Sequence, residues 1–183
     1  MPRTTKLPSR LHHTAYTTRN MEKTRTFYED VIGLPLVATW SESDKLFGKV
    51  RTYCHCFCGL GDGGALAFFQ FADRKDERKF SPRIPETPFH HIALKVDNAT
   101  QKALEKRIKA AGYKRPDTFV LEHGYCRSLY IKDPNGLILE FTVDASNADR
   151  IAKDRKADAR ATLARWLDGD HTSNNVYRKA RSA

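Results

Sequence analysis

The stretch Leu11-His12-His13-Thr14-Ala15-Tyr16 decides the fold, because a near copy of it stands at Phe89-His90-His91-Ile92-Ala93-Leu94. Each copy has the composition of a short strand. A helical pattern follows each copy, over residues 21–32 in the first case and 100–111 in the second. Asn20 is a candidate cap for the first helix, and a glycine closes both helices. Repetition of a strand and a helix in the same order indicates an internal duplication.

Three further strand-like runs follow each predicted helix, with turn residues ahead of the last run in each half. The runs cover residues 36–41, 50–58 and 65–71 in the first half, and 118–122, 127–132 and 137–143 in the second. The sequence therefore predicts an α+β fold of two βαβββ modules. The predicted parts are a domain over 10–144 with modules 10–72 and 88–144, a linker over 73–87, a C-terminal helix over 145–168, and a polar tail over 169–183.

Composition and charge exclude several classes of protein. No apolar run reaches the roughly 18 residues of a membrane span, and residues 1–10 lack the apolar core of a secretory signal, so we expect a cytoplasmic protein without a membrane partner. The net charge of +10 lies mostly in residues 1–10 and 146–183, outside the doubled module, so we expect no nucleic-acid partner.

Three of the four cysteines alternate along one predicted strand, at Cys54, Cys56 and Cys58. Neighbours on one face of a strand lie too far apart to form a disulfide. We therefore expect reduced, buried thiols rather than a thiolate metal site.

Polar residues at equivalent places in the two halves point to a metal site. His13 and His91 are equivalent, and the match of Phe69-Gln70-Phe71 with Leu139-Glu140-Phe141 makes Gln70 and Glu140 equivalent as well. Two imidazoles and one carboxylate form the facial ligand set of non-haem Fe(II). A fourth oxygen from Gln70 would suit another divalent ion instead. The sequence thus predicts His13, His91 and Glu140 as metal ligands, with Gln70 as a provisional fourth.

The chain resembles the vicinal oxygen chelate superfamily in four features. These are the doubled plan, the two histidine strands, the stretch Phe27-Tyr28-Glu29-Asp30-Val31-Ile32-Gly33-Leu34, and Asp133-Pro134-Asn135-Gly136 followed by Glu140. That superfamily includes glyoxalase I, bleomycin and fosfomycin resistance proteins, methylmalonyl-CoA epimerase and type I extradiol dioxygenases. The resemblance covers residues 10–144. It favours the second histidine of each doublet as the ligand, so His12 and His90 should point away from the site.

A narrower resemblance separates the branches of the superfamily. Residues 123–140 are similar to the extradiol dioxygenase signature, in which a histidine, an aliphatic-Tyr pair, Asp-Pro-x-Gly and the carboxylate ligand follow one another. The resemblance implies that His123 is an acid/base and that Tyr130 hydrogen-bonds the substrate oxygen. Two departures are Leu121, where the family usually has another residue, and Gly63-Gly64, where these enzymes often have a His-His pair.

The preferred function is a non-haem Fe(II)-dependent extradiol-type dioxygenase that cleaves a catecholic ring with O₂. Mn, Zn, Ni or Co are alternative metals. One alternative function is a divalent-metal isomerase or lyase of the glyoxalase I or methylmalonyl-CoA epimerase type, in which Gln70 joins the ligands. Another is a metal-free small-molecule binding or resistance protein. The expected partners are an aromatic diol and O₂, and the resemblance implies a homodimer.

Overall fold

The computed structural model describes residues 6–85 and 87–178. The chain divides into two compact units, the first made of Met1–His90 with Lys132–Leu137 and the second of His91–Ile131 with Ile138–Ala183. Each unit contains one four-stranded mixed sheet with helices, so the predicted α+β plan of two βαβββ modules is confirmed. Among the described residues, no helix is long and apolar enough to span a membrane.

The first sheet has the strand order β1-β4-β3-β2. Its elements, in chain order, are β1 (His13–Thr17), α1 (Met21–Arg25), a π-helical continuation of α1 (Thr26–Ile32), β2 (Leu36–Leu46), β3 (Lys49–Gly59), β4 (Ala65–Phe71) and α2 (Arg74–Phe80). The Asn20 side chain accepts from the backbone N–H of Lys23 at 2.8 Å, which confirms the predicted cap. Gly33 ends the helical segment with φ +94°, a conformation that favours glycine.

The second sheet repeats this order as β5-β8-β7-β6. Its elements are β5 (His91–Lys95), α3 (Asn98–Ala110), β6 (Thr118–Glu122), β7 (Cys126–Lys132), β8 (Ile138–Asp144) and α4 (Ala148–Leu167). In both sheets the first strand pairs in parallel with the last one. The predicted C-terminal helix over 145–168 is present as α4.

One face of each sheet carries the hydrophobic core. In the first unit, Tyr28 is fully buried and its ring lies 4.6 Å from that of Phe68 on β4. Cys56 and Cys58 are buried on this same face, Cys54 is half-buried, and all three are free thiols. In the second unit, the buried amide of Gln101 on α3 donates to the carbonyl oxygens of Phe141 and Arg127 at 2.6 and 3.0 Å, which fixes the helix on the sheet.

The predicted linker over 73–87 contains a helix, α2, which the sequence pattern did not indicate. Asp73 caps it by accepting from the backbone N–H groups of Lys75 and Asp76. Asp76 is buried, and its carboxylate pairs with Arg51 at 3.2 Å and with Lys49 at 3.0 Å, both on β3. Tertiary ion pairs therefore stabilise a segment whose own sequence is almost entirely charged.

Candidate metal centre and catalytic pair

The second unit brings one predicted ligand pair together. His91 is the first residue of β5, and Glu140 lies on β8 opposite Ala93. Nε2 of His91 lies 2.8 Å from Oε2 of Glu140. Glu140 is only 6% exposed, and its other oxygen accepts a hydrogen bond from Thr142 Oγ1 at 3.1 Å. A nearly buried carboxylate has lost most of its water, so its charge must be compensated by hydrogen-bond donors such as these or by a cation.

The donor set fits a divalent ion. Two ligand atoms bound at about 2.1 Å and at right angles lie about 3 Å apart, close to the separation of the His91 and Glu140 atoms. Within the described part of either unit, no three His, Cys, Asp or Glu side chains are grouped so that they could hold a metal by themselves. A complete site therefore needs a ligand beyond this pair.

His13 occupies the corresponding position in the first unit. It is the first residue of β1, as His91 is of β5. Its ring lies edge-on to Phe57 at 5.7 Å and to His55 at 6.4 Å, both on β3. Nδ1 of His13 lies 2.8 Å from Nδ1 of His12. His12 therefore approaches His13 rather than pointing away, because it precedes the strand and is outside its alternation. This contact leaves Nε2 of His13 for a metal.

Gln70 lies on the other face of the first sheet. The register pairs Gln70 with Cys54 and Ala67 with Phe57, so alternation puts Gln70 on the helix side and Ala67 on the side of His13. The Gln70 amide oxygen accepts from the backbone N–H of Met21 at 2.7 Å, at the start of α1.

The register also changes the counterpart of Glu140. Ala67 pairs with Ala15 as Glu140 pairs with Ala93. Ala67, rather than Gln70, is therefore the structural equivalent of the carboxylate, and the first module has no metal-binding side chain at that position.

The two residues that the dioxygenase signature implies are in contact. His123 lies between β6 and β7, and Tyr130 lies on β7. Nε2 of His123 is 3.1 Å from the Tyr130 hydroxyl. The Tyr130 ring is edge-on to His91 at 5.9 Å. Tyr130 therefore adjoins the His91–Glu140 pair, and His123 is connected to that pair through Tyr130.

Burial holds Tyr130 in its protonated form. Desolvation, followed by the hydrogen bond and charge of Glu140, raises the pKa of Tyr130 to about 12. A phenol with that pKa keeps its proton at neutral pH and acts as a hydrogen-bond donor.

Desolvation and then the neighbouring His13 lower the pKa of His55, whose Nε2 is buried and has no hydrogen-bond partner among the described residues. Its surroundings therefore favour the neutral form of His55, on the same face of the sheet as His13.

Two polar features beside these residues were not predicted. Thr142 is two residues beyond Glu140 on the same face of β8, and strand alternation alone could have indicated it. Asn175, in the predicted polar tail, donates from Nδ2 to the carbonyl oxygen of His123 at 3.1 Å. No local pattern signals that contact, because the two residues are far apart in the sequence. Residues 179–183 of the tail lie outside the described residues.

Comparisons with known proteins agree with this architecture. The lactoylglutathione lyase of Neisseria meningitidis is 27% identical over 143 residues, which cover 78% of this chain and 96% of that protein. The uncharacterised protein YwbC of Bacillus subtilis is 26% identical over 136 residues, covering 74% of this chain and 98% of that one. The crystal structure of the fosfomycin resistance protein FosX from Listeria monocytogenes superposes with a TM-score of 0.54 at 20% identity, covering 78% and 98% of the two chains.

A crystal structure of a mutant form of that FosX contains Mn(II) and 1S,2S-dihydroxypropylphosphonic acid. The family model described as Glyoxalase/Bleomycin resistance protein/Dioxygenase superfamily matches residues 10–141. The chain belongs to the glyoxalase/bleomycin resistance/dioxygenase superfamily, also called the vicinal oxygen chelate superfamily.

Proposed function

We propose that this protein is an Fe(II)-dependent extradiol-type dioxygenase that cleaves a catecholic ring with O₂. The observation that carries the proposal is the contact between Nε2 of His123 and the hydroxyl of Tyr130, at 3.1 Å, beside the His91–Glu140 pair. An imidazole and a protonated phenol next to a metal-binding pair are the groups needed to take a proton from a diol and to donate to its oxygen.

The proposed ligands are His13, His91 and Glu140. Gln70 is left out because its side chain lies on the helix face and accepts from Met21. When bound, Fe(II) would bring the two diol oxygens and O₂ to one ion and so remove much of the orientational cost of their reaction. Mn, Zn, Ni or Co remain alternative metals for the same three residues.

The side chains have separate roles in this proposal. His123 accepts a proton from a diol hydroxyl, a role for which an imidazole nitrogen is chemically suited. Tyr130 donates a hydrogen bond to the substrate oxygen that loses its proton, since its own proton is held by a pKa of about 12. The Thr142 hydroxyl orients Glu140 by donating to its second oxygen.

A second candidate is a lyase of the lactoylglutathione type. The 27% identity to the Neisseria enzyme over most of both chains favours it. The position of Gln70 argues against a four-ligand version of that site, because Ala67 stands where the first module would supply the fourth ligand. The homodimer, the cytoplasmic location and the absence of a nucleic-acid partner stay predictions.

The two functions are separated by assaying one preparation for both reactions. Anaerobically purified protein, loaded with Fe(II), should consume O₂ with a panel of catechols and give a yellow ring-opened product. His123→Ala should retain Fe(II) but lose about a hundredfold or more in turnover. The control His90→Ala, which removes an exposed histidine that the sequence predicts to point away from the site, should retain both. No O₂ uptake with any catechol would refute the dioxygenase, and lactoylglutathione formation with Ni or Zn would establish the second candidate.

A further inference from the structure

The chain reverses direction after α4 and runs back to the connection between β6 and β7. We call residues 170–178 the C-terminal strap. Arg165 on α4 holds its start, with Nη1 at 3.1 Å from the Asp170 carboxylate and Nη2 donating to the Thr172 carbonyl at 3.0 Å. The His171 ring lies on Trp166 with centroids 4.2 Å apart. The reversal is therefore built from specific contacts with the helix.

The far end of the strap contacts the backbone beside His123. Asn175 donates from Nδ2 to the His123 carbonyl oxygen at 3.1 Å. Its Oδ1 accepts from the backbone N–H groups of Tyr177 and Arg178 at 3.2 and 3.3 Å, which closes a local turn. One amide side chain therefore shapes the strap and ties it to His123.

Gly124 allows this close approach. It has φ +85°, and a Cβ placed on it would lie 2.2 Å from the carbonyl carbon and oxygen of Tyr177. Any other residue at Gly124 would displace the strap or the connection, because both neighbouring atoms belong to the backbone. The contact is thus one of two backbones, with no flexible side chain between them.

We propose that the C-terminal strap positions His123 for its reaction. This inference rests on the proposed function. The connection that bears His123 is short and exposed, and its own backbone supplies one restraint, the hydrogen bond from the His123 N–H to the Cys126 carbonyl at 2.9 Å. The Asn175 amide restrains the carbonyl side of the same residue. Together they set the direction in which the imidazole leaves the backbone toward Tyr130.

The strap contributes little to the hydrophobic core. A change in the strap can therefore alter the position of His123 with little effect on the stability of the protein. Val176 is 79% exposed, and most other strap residues are exposed as well. Losing one partly exposed hydrogen bond lowers the stability of a protein only slightly. A misplacement of a reacting group by about 1 Å can cost as much as a hundredfold in rate.

Three variants test the positioning role. Asn175→Ala removes the bond to His123, and Asn175→Asp keeps the acceptor for Tyr177 and Arg178 but also removes the donor. Asn174→Ala is the matched control, since the Asn174 amide donates to Thr162 on α4 and not to His123. We expect both Asn175 variants to lose about tenfold or more in kcat, with Fe(II) content and melting temperature close to wild type and Asn174→Ala. Equal kcat in all four proteins would overturn the proposal.

Two further readouts identify the path of the effect. In a His123→Ala background, Asn175→Ala should cause no additional loss of residual turnover, whereas an additional tenfold loss would show that Asn175 acts elsewhere. The ¹⁵N signal of the His123 imidazole, measured without metal or substrate, should move in both Asn175 variants and stay in place in Asn174→Ala. If the signal does not move in the Asn175 variants, the positioning role is overturned, whether or not the protein is a dioxygenase. If the signal moves but no O₂ is consumed, only the proposed function is refuted.

Discussion

Replacing Asp133 with alanine should destabilise the first unit strongly. The Asp133 carboxylate, in the turn before β8, accepts from the Tyr28 hydroxyl at 3.0 Å and from the Leu137 N–H at 2.8 Å. Both donors are buried, with Tyr28 0% exposed. Asn135 also donates to it, from its backbone and its side chain. The variant leaves the two buried donors without a partner.

An unpaired buried donor costs about 1–3 kcal/mol, so two of them cost about 2–6 kcal/mol. Removing a buried carboxylate offsets part of this cost, and we expect a net loss of about 2–4 kcal/mol out of a total stability of about 5–15 kcal/mol. Urea unfolding measures it as a lower midpoint at an unchanged m-value. In a Tyr28→Phe background the same substitution should cost about 1–2 kcal/mol less, since one donor is already gone. A loss below about 0.5 kcal/mol, or an equal loss in both backgrounds, would refute this reasoning.

Asp133 also makes the free energy of unfolding depend on pH in a definite direction. Burial raises the pKa of the Asp133 carboxyl above its ordinary value of 3.8. The folded state therefore binds this proton at a higher pH than the unfolded state does, and Asp133 contributes stability that grows as the pH falls through its folded pKa toward 3.8. The unfolding free energy of wild type minus that of Asp133→Asn should increase over this fall in pH, and a decrease would contradict the assignment.

Three further substitutions test the ligand set and the fold. Gln70→Ala should leave the Fe(II) content, measured by metal analysis, unchanged. It should lower the free energy of unfolding by about 1 kcal/mol, because the hydrogen bond from the Met21 N–H is lost. Loss of metal would return Gln70 to the set of ligands. Glu140→Ala should abolish Fe(II) binding under the same conditions, and retained metal would remove Glu140 from the site. Asp76→Ala should lower the free energy of unfolding in urea by about 3–5 kcal/mol, because the Arg51 side chain, 6% exposed, would lose its counter-charge. A loss below about 1 kcal/mol would show that water reaches the guanidinium.

The repeat made most of the fold predictable. The strands over 65–71 and 118–122 lie where the pattern placed them, and β2 only extends further than expected, to Leu46. Such runs have a local signal, since alternation and turn residues are properties of neighbouring positions. Helix α2 has no apolar periodicity; its local signal is limited to the cap residue Asp73, and ion pairs with a distant strand stabilise it.

The position of Gln70 shows the limit of matching short motifs. Aligning Phe71 with Phe141 made Gln70 the partner of Glu140, but β4 and β8 have equal lengths and their starts correspond, so Ala67 is the partner. The two alignments differ by three positions, an odd number, which moves a side chain to the other face of a strand. The contact between Asn175 and His123 could not be predicted at all, because only the folded chain brings the strap back to the sheet.

The most direct test of the dioxygenase proposal is the stoichiometry of O₂ and catechol in a closed cell containing the Fe(II)-loaded protein. Ring cleavage by a dioxygenase should consume equimolar O₂ and catechol, form an equimolar ring-opened product and release no hydrogen peroxide. Catechol that is unchanged, or that is oxidised to quinone with peroxide release, would contradict the assignment.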